Sequence, residues 1–267
     1  MSDTSIKRIA ELSASFIKLD LSEAELGSYF LRENVSEEIV KEIEKLFEYL
    51  KNKQKEMSIQ TCLRLSRLPL KEIKDFKSFD YTRLKGKDLD TLKNLESLAP
   101  LYAGVNIAFI GPQGIGKTHL AMAFGNACCN AGLKTYFLKA SELNDRITDA
   151  RRNGRVDRLT SSLVKPSCLI IDEVGRSVFD VENTRIFFDV VDRRYNKEGP
   201  NSMIFTSNKE PGQWGEFFRE EDSLLCSLDR IFDKAMVFVM RGESYRGRQL
   251  KTMALETVGV SVTKPSE

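Results

Sequence analysis

The chain is poor in the residues that hold soft metals. His119 is its one histidine, and Cys62, Cys128, Cys129, Cys168 and Cys226 are an odd set of five cysteines with no C-x-x-C pair. A zinc site or a disulfide framework is therefore not expected, and the thiols read as small buried hydrophobes of a reducing compartment. No apolar run approaches the ~20 residues that cross a bilayer. The amino terminus, with Asp3 and Glu11 among scattered apolar residues, has no signal-peptide core. These absences predict a cytoplasmic protein with no membrane partner. An excess of one charge is missing too: 41 basic against 39 acidic side chains leave +2, so any nucleic-acid surface must be local. No repeat or low-complexity segment stands out. What remains is 267 residues, 41% hydrophobic and 30% charged, ordinary for a globular chain of one or two domains.

One stretch organises the rest: Gly111, Pro112, Gln113, Gly114, Ile115, Gly116, Lys117 and Thr118. Val105 to Ile110 before it reads as a buried strand, and Lys117 to Ala131 after it as an apolar helix. Strand, glycine loop and helix are the context that G-x-x-x-x-G-K-[ST] needs to be a phosphate loop. Glycines let backbone N–H groups turn inward as a nest for anionic oxygens, and the helix start adds orphan donors and the positive end of a dipole. Lys117 supplies a cation for the outer phosphates and the Thr118 hydroxyl a ligand for Mg²⁺. His119, directly after, is grouped with this nucleotide-binding set; tuning the loop or a structural role suits it better than catalysis. A chance glycine turn remains the bland alternative.

Residues 1 to about 66 contain no proline and read as helical. Ser22 with Glu25 makes a capping box, and Ser36 before Glu37 and Glu38 marks a second helix start. From there Ile39, Ile43, Leu46 and Leu50 form one apolar stripe, beside a lysine-rich face. The expected organisation is a helical N-terminal domain over 1–68 that binds DNA or another protein, or simply packs its stripe. A linker and lead-in helix over 69–100, anchored through Phe76, Phe79 and Tyr81, would follow. A nucleotide-binding domain over 101–250 and a flexible tail over 251–267 complete the chain. Strands are expected at 105–110, 134–139, 168–172, 202–206 and 236–241 with helices between them. That pattern predicts an α/β domain with a parallel sheet covered on both faces.

A second apolar strand, Cys168 to Ile171, ends in Asp172 and Glu173. Asp172 is placed to hold Mg²⁺ through water, and Glu173 to orient and deprotonate an attacking water, a role worth about 10²- to 10⁴-fold. Asn208, after the strand Ile204–Phe205–Thr206, could hold that water against the γ-phosphate, although Ser-Asn is also ordinary turn chemistry. Arg230, at a helix end, and Arg246, after the last strand, could each stabilise γ-phosphate charge, in cis or from a neighbouring subunit.

Taken together, Gly111 to Ala121, Leu169 to Gly175, Thr206 to Asn208, Asp229–Arg230 and Ser244–Tyr245–Arg246 resemble the IstB/DnaC branch of AAA+ ATPases over about residues 69–250. The resemblance implies a P-loop AAA+ domain with a five-stranded parallel sheet and a small all-α N-terminal domain. It also implies ATP with Mg²⁺, Asn208 as first sensor, Arg230 as a finger reaching across a subunit interface, Arg246 as second sensor, and a homo-oligomer assembled on duplex DNA. Leu68–Pro69–Leu70–Lys71 before Phe76 is similar to the linker of IstB proteins, the helper ATPases of insertion-sequence transposition. Arg151, Arg152, Arg155 and Arg158 resemble their basic helix, which faces DNA. Arg146, Arg151, Arg152, Arg155, Arg158 and Lys165 against Asp149 and Asp157 give this stretch a local net charge of +4. Arg176–Ser177 departs from the family pattern. Partners implied are duplex DNA and a cognate transposase or, for a DnaC-type loader, a replicative helicase. A nucleotide or small-molecule kinase would share the phosphate loop, but no acceptor-binding lid is evident. A nucleotide-gated scaffold with negligible turnover is the remaining alternative.

Overall fold

The computed structural model describes residues 3–69, 71–219, 224–242 and 244, without the side chains of Asp3 and 224–227. Arg246, the 251–267 tail and the Cys226 side chain lie outside this description. Three helices open the chain: α1 (Asp3–Leu12), α2 (Glu23–Arg32) and α3 (Glu37–Ser66). Ser22 caps α2 as expected: its hydroxyl accepts from the Glu25 N–H at 3.2 Å and its own N–H donates to Glu25 Oε2 at 2.9 Å. Ser36 accepts from the Ile39 N–H at the start of α3. Ile6, Ile9, Phe30 and Val40 form a small core of their own, with Ile43 and Phe47 against it.

The stripe of α3 differs from the expected one. Val40, Ile43 and Phe47 face α1, while Ile39 and Leu46 remain about half exposed, at 52% and 53%. The helix carries two adjacent apolar stripes and α1 covers one of them. At 30 residues, α3 is about 45 Å long, and its two ends lie in different surroundings. Cys62 and Leu68 join the core under the sheet, with Leu63 packed against it, so a boundary drawn at 68 would cut through that packing.

The connector reaches the α/β domain through Phe76 and Phe79, both buried, and Tyr81, which packs beside them. The expected lead-in helix over 88–98 is broken into α4 (Leu89–Lys93) and a 3₁₀ turn, Asn94–Ser97, before α5 (Ala99–Tyr102). Leu98 takes φ 59° there, which ends the helical path.

The rest alternates strand and helix: β1 (Asn106–Ile110), α6 (Lys117–Asn130), β2 (Thr135–Lys139), α7 (Ala140–Arg152), α8 (Val156–Val164), β3 (Cys168–Val174), α9 (Val181–Tyr195), β4 (Ser202–Ser207), α10 (Leu224–Phe232) and β5 (Ala235–Val239). All five strands are parallel in the order β2-β3-β4-β1-β5, with Ile107 opposite Ile204 and Ile170 opposite Ile204 in register. Successive strand residues alternate between two cores. Ile107, Phe109 and Ile170 face α6, the end of α3 and the connector; Ala108, Ile110, Leu169 and Ile171 face α7 and α9. Burial on both faces explains the continuous apolar strands. All the strands point their carboxyl ends the same way, so β1, β3 and β4 deliver their following residues to one edge of the sheet.

At the opposite edge, the fully buried Arg194 of α9 donates to the carbonyls of Leu163, Val164, Pro166, Ser167 and Ser202. Burial pushes its guanidinium down to about 10. It ties the ends of α8, β3 and β4 together.

Candidate nucleotide site

The loop after β1 curls because its glycines adopt backbone angles closed to other residues. Gly111 has φ 149° and Gly116 φ 100°. A Cβ on Gly111 would fall 2.2 Å from the Met240 carbonyl oxygen, and one on Gly116 would fall 2.6 Å from Phe79 Cε2. Only a residue without a side chain fits either place. Lys117 opens α6 and is buried; its Nζ donates to Gly111 O at 2.8 Å, Pro112 O at 2.7 Å and Asn208 Oδ1 at 2.7 Å. Lys117 from one strand end and Asn208 from another thus meet at the loop.

The acids follow the same logic. Thr118 Oγ1 donates to Asp172 Oδ1 at 2.8 Å, and Thr206 Oγ1 donates to the same oxygen at 2.6 Å. Asp172 is only 2% exposed, so these hydroxyls supply partners that a buried carboxylate requires. Just here the pairing of β3 with β4 slips: Ile171 faces Phe205, and the next pair is Val174 with Ser207. Asp172 and Glu173 together face Thr206 alone, which is a β-bulge. Glu173 takes φ 60°, and its N–H donates to Thr206 Oγ1 at 2.9 Å. Straight β pairing would send adjacent side chains to opposite faces. The bulge lets Asp172 turn inward while Glu173 lines the loop's cleft, a place where strained backbone is tolerated.

The cleft holds about 150 Å³ and is lined by Gln113, Lys117, Thr118, Glu173, Arg176 and Asn208, among others. Glu173 Oε2 lies 3.0 Å from Arg176 Nη1 and 3.3 Å from Lys139 Nζ. Lys139 has no site role in the sequence reading, Thr206 enters it only as part of the Thr206–Asn208 motif, and Arg176 only as a departure from the family pattern. The signal for Thr206 and Lys139 was present, since each is polar at the carboxyl end of an apolar strand. The donor set suits the ligands the motif implies. Thr118 and Asp172 offer hard oxygens of the kind Mg²⁺ takes, and the loop offers a lysine and a helix start to phosphate.

Other candidate residues lie elsewhere. His119 faces the connector: its Nε2 is 2.9 Å from Asp75 O and 3.3 Å from Ser78 Oγ, and its ring meets Phe79 edge-on. Burial pushes this imidazole below its ordinary value, against the Asp75 carbonyl, which raises it. It staples the connector to the loop helix. Arg230 pairs with Asp192 and lines a cavity with Ala103, Gly104 and Asn106, at the amino end of β1. Five strand residues, roughly 13–17 Å, separate it from the loop, so it does not reach the cleft of its own subunit. The four arginines are not on one helix: Arg151 and Arg152 end α7, Gly154 turns with φ 62°, and Arg158 lies in the first turn of α8. All four are exposed; Arg151 also pairs with Asp180, at 2.9 Å, and with Asn183 Oδ1, at 2.8 Å.

The chain is similar to known ATP-binding proteins. A protein-family profile described as IstB-like ATP binding protein matches residues 28–253. The protein named "Insertion sequence IS5376 putative ATP-binding protein" of Geobacillus stearothermophilus is 38% identical over 72% of this chain and 74% of the relative. Its IS21 counterpart in Pseudomonas aeruginosa is 32% identical over 77% of this chain and 76% of the relative. Among solved structures, the DnaC helicase loader is 18% identical with a TM-score of 0.52, covering 63% of this chain and 97% of that one. AMPPCP-bound DnaA from Aquifex aeolicus is 18% identical with a TM-score of 0.53, covering 66% and 51%. At that identity the two structures speak for the AAA+ fold.

Proposed function

Because the chain belongs to the family of IstB-like ATP-binding proteins, we propose that it is an ATP-hydrolysing helper of insertion-sequence transposition. On this reading it assembles on duplex DNA as a homo-oligomer and helps a cognate transposase use its target. The observation that carries the chemistry is the meeting of Lys117 with Asn208, and of Thr118 with Asp172, on either side of Glu173.

Lys117 and the loop N–H groups would bind the β- and γ-phosphates, and Asn208 would hold the attacking water in line. Glu173, aimed into the cleft by the bulge, would accept that water's proton. Mg²⁺ would sit against the Thr118 hydroxyl and, through water, Asp172, and when bound would neutralise phosphate charge. The nucleoside would extend from Gly111 toward the open groove of about 640 Å³ between Leu84–Leu92 and β5, since the phosphate cleft is too small for the whole nucleotide. Arg230, on the far edge of the sheet, would act on the nucleotide of an adjacent subunit, making ATP a link between copies. Arg152, Arg155 and Arg158 would contact DNA phosphates.

The test is Glu173→Gln with ATP and duplex DNA. Hydrolysis should be lost while ATP-dependent, salt-sensitive DNA binding persists as a trapped oligomer. Binding without ATP, or without a salt slope, would overturn the reading. Capture of a replicative helicase in place of a transposase would move the protein to the loader function.

A further inference from the structure

The cavity beside Arg230 is walled by cations. It holds about 240 Å³ at the amino end of β1, and Arg194, Lys197, Arg230 and Lys234 all line it. No carboxylate does so among the described residues. The acids nearest to these groups are already engaged, Asp192 with Arg230 and Asp233 with the Tyr195 hydroxyl at 2.9 Å. Four cations against those two acids leave +2 around the space. Burial, and after it the Arg194 charge, pushes the Lys197 ammonium down to about 8, as happens where positive groups crowd together out of water. Lys234 is exposed and makes no ion pair among the described residues.

Two buried residues of the wall ask for more than charge. Arg194 is fully buried and its terminal nitrogens donate to carbonyls, yet its Nε has no acceptor among the described residues. Asn201, only 9% exposed, donates through Nδ2 to Arg194 O at 2.6 Å, while its Oδ1 has no donor. Buried polar atoms require partners, so these residues leave one donor and one acceptor to the cavity they line. A water can serve both, but it does nothing for the surplus of positive charge. Inorganic phosphate answers both demands. Its P–O oxygens accept from Arg194, Arg230 and Lys234, and near neutral pH it keeps a P–OH that donates to Asn201 Oδ1. Sulfate carries the charge without the hydroxyl. We propose that this cavity is a site for inorganic phosphate, formed by Arg194, Asn201, Arg230 and Lys234. Resting on the ATPase reading above, phosphate released by hydrolysis binds here and holds Arg230 to its own subunit. That withdraws the arginine from the nucleotide of an adjacent copy, so product slows turnover.

The test is calorimetric titration of the full chain, saturated with ADP and Mg²⁺ and free of DNA, with phosphate and separately with sulfate. Phosphate should bind about tenfold or more tightly than sulfate, because sulfate leaves the Asn201 acceptor unpaired. Lys234→Ala and Arg230→Ala should each weaken phosphate binding about tenfold or more. In steady-state hydrolysis, the phosphate concentration that halves each protein's own rate should rise by a similar factor in Lys234→Ala. Equal binding of sulfate, or unchanged phosphate binding in both variants, would overturn the site and leave only phosphate held at the loop or the surface. Binding seen only with ATP, and only in an oligomer, would make the anion an adjacent copy's nucleotide and overturn it too. The titration needs no turnover, so its failure leaves the ATPase reading standing. A chain that binds phosphate here yet hydrolyses no ATP would sink that reading, and the feedback with it, while the site remains.

Discussion

Thr206 offers the sharpest test of how the site is built. Its hydroxyl donates to Asp172 at 2.6 Å and accepts from the Glu173 N–H at 2.9 Å, so one atom holds both acids at the bulge. Thr206→Val keeps shape and volume and deletes that atom's hydrogen bonds. A hydrogen bond to a charged group contributes about 1.5–3 kcal/mol, and a buried donor left without a partner costs about 1–3 kcal/mol. Asp172 keeps Thr118, which limits the first loss, so about 2–4 kcal/mol is expected in total. For a chain of this size that lowers Tm by on the order of 10 °C. Glu173 loses its backbone anchor, and displacement of a reacting group by about 1 Å costs roughly 10²-fold in rate. Differential scanning calorimetry and steady-state hydrolysis should show both effects, with ATP binding by Lys117 and the loop changed far less than kcat. Thr206→Ser keeps the hydroxyl and removes one methyl, worth about 1 kcal/mol, and should hydrolyse ATP near the wild-type rate. If valine matched wild type, or if serine failed as badly as valine, the hydroxyl bridge would not be what sets the acids.

Three further outcomes follow from the geometry. Gly116→Ala would push a methyl to 2.6 Å from the Phe79 ring at φ 100°, costing about 1–3 kcal/mol in overpacking and weakening ATP binding; Phe79→Leu in the same chain should recover part of the loss, read by nucleotide titration. Burial places the folded-state value of His119 below the ordinary imidazole one, so the unfolded chain takes up the proton first as pH falls. Stability should drop on acidification through about pH 6.5 and below, and His119→Gln should flatten that slope in denaturant titrations. Burial raises the Cys129 thiol to about 11 and the Cys128 thiol well above its ordinary value. Peptide mapping after iodoacetamide treatment at pH 8 should find Cys62, Cys128, Cys129 and Cys168 unmodified until the protein is unfolded.

Much of this molecule is written within short stretches of chain. The phosphate loop, the caps at Ser22 and Ser36, and the five apolar strands depend on residues a few positions apart or on a period. Such signals survive without knowledge of the partner segments. The pairing of Thr118 with Asp172 follows almost as directly, because a parallel sheet brings all its strand ends to one edge. Other features depend on which surfaces meet. Two apolar stripes lie side by side on α3, and only the position of α1 decides that Val40, Ile43 and Phe47 are the buried set. Arg151 is one arginine among four until Asp180 and Asn183, some thirty residues away in sequence, pair with it. Arg230 carries no mark of which end of the sheet it occupies; the packing of α10 against α9 puts it opposite the loop, beside Asp192. The bulge that aims Glu173 exists only as a register difference between β3 and β4. Residue type and spacing determined that this chain carries a nucleotide-binding loop and which groups are expected to serve it. The aim of those groups, and the partners that hold them, were decided by long-range packing, because each rests on contacts between segments that have no local preference for one another.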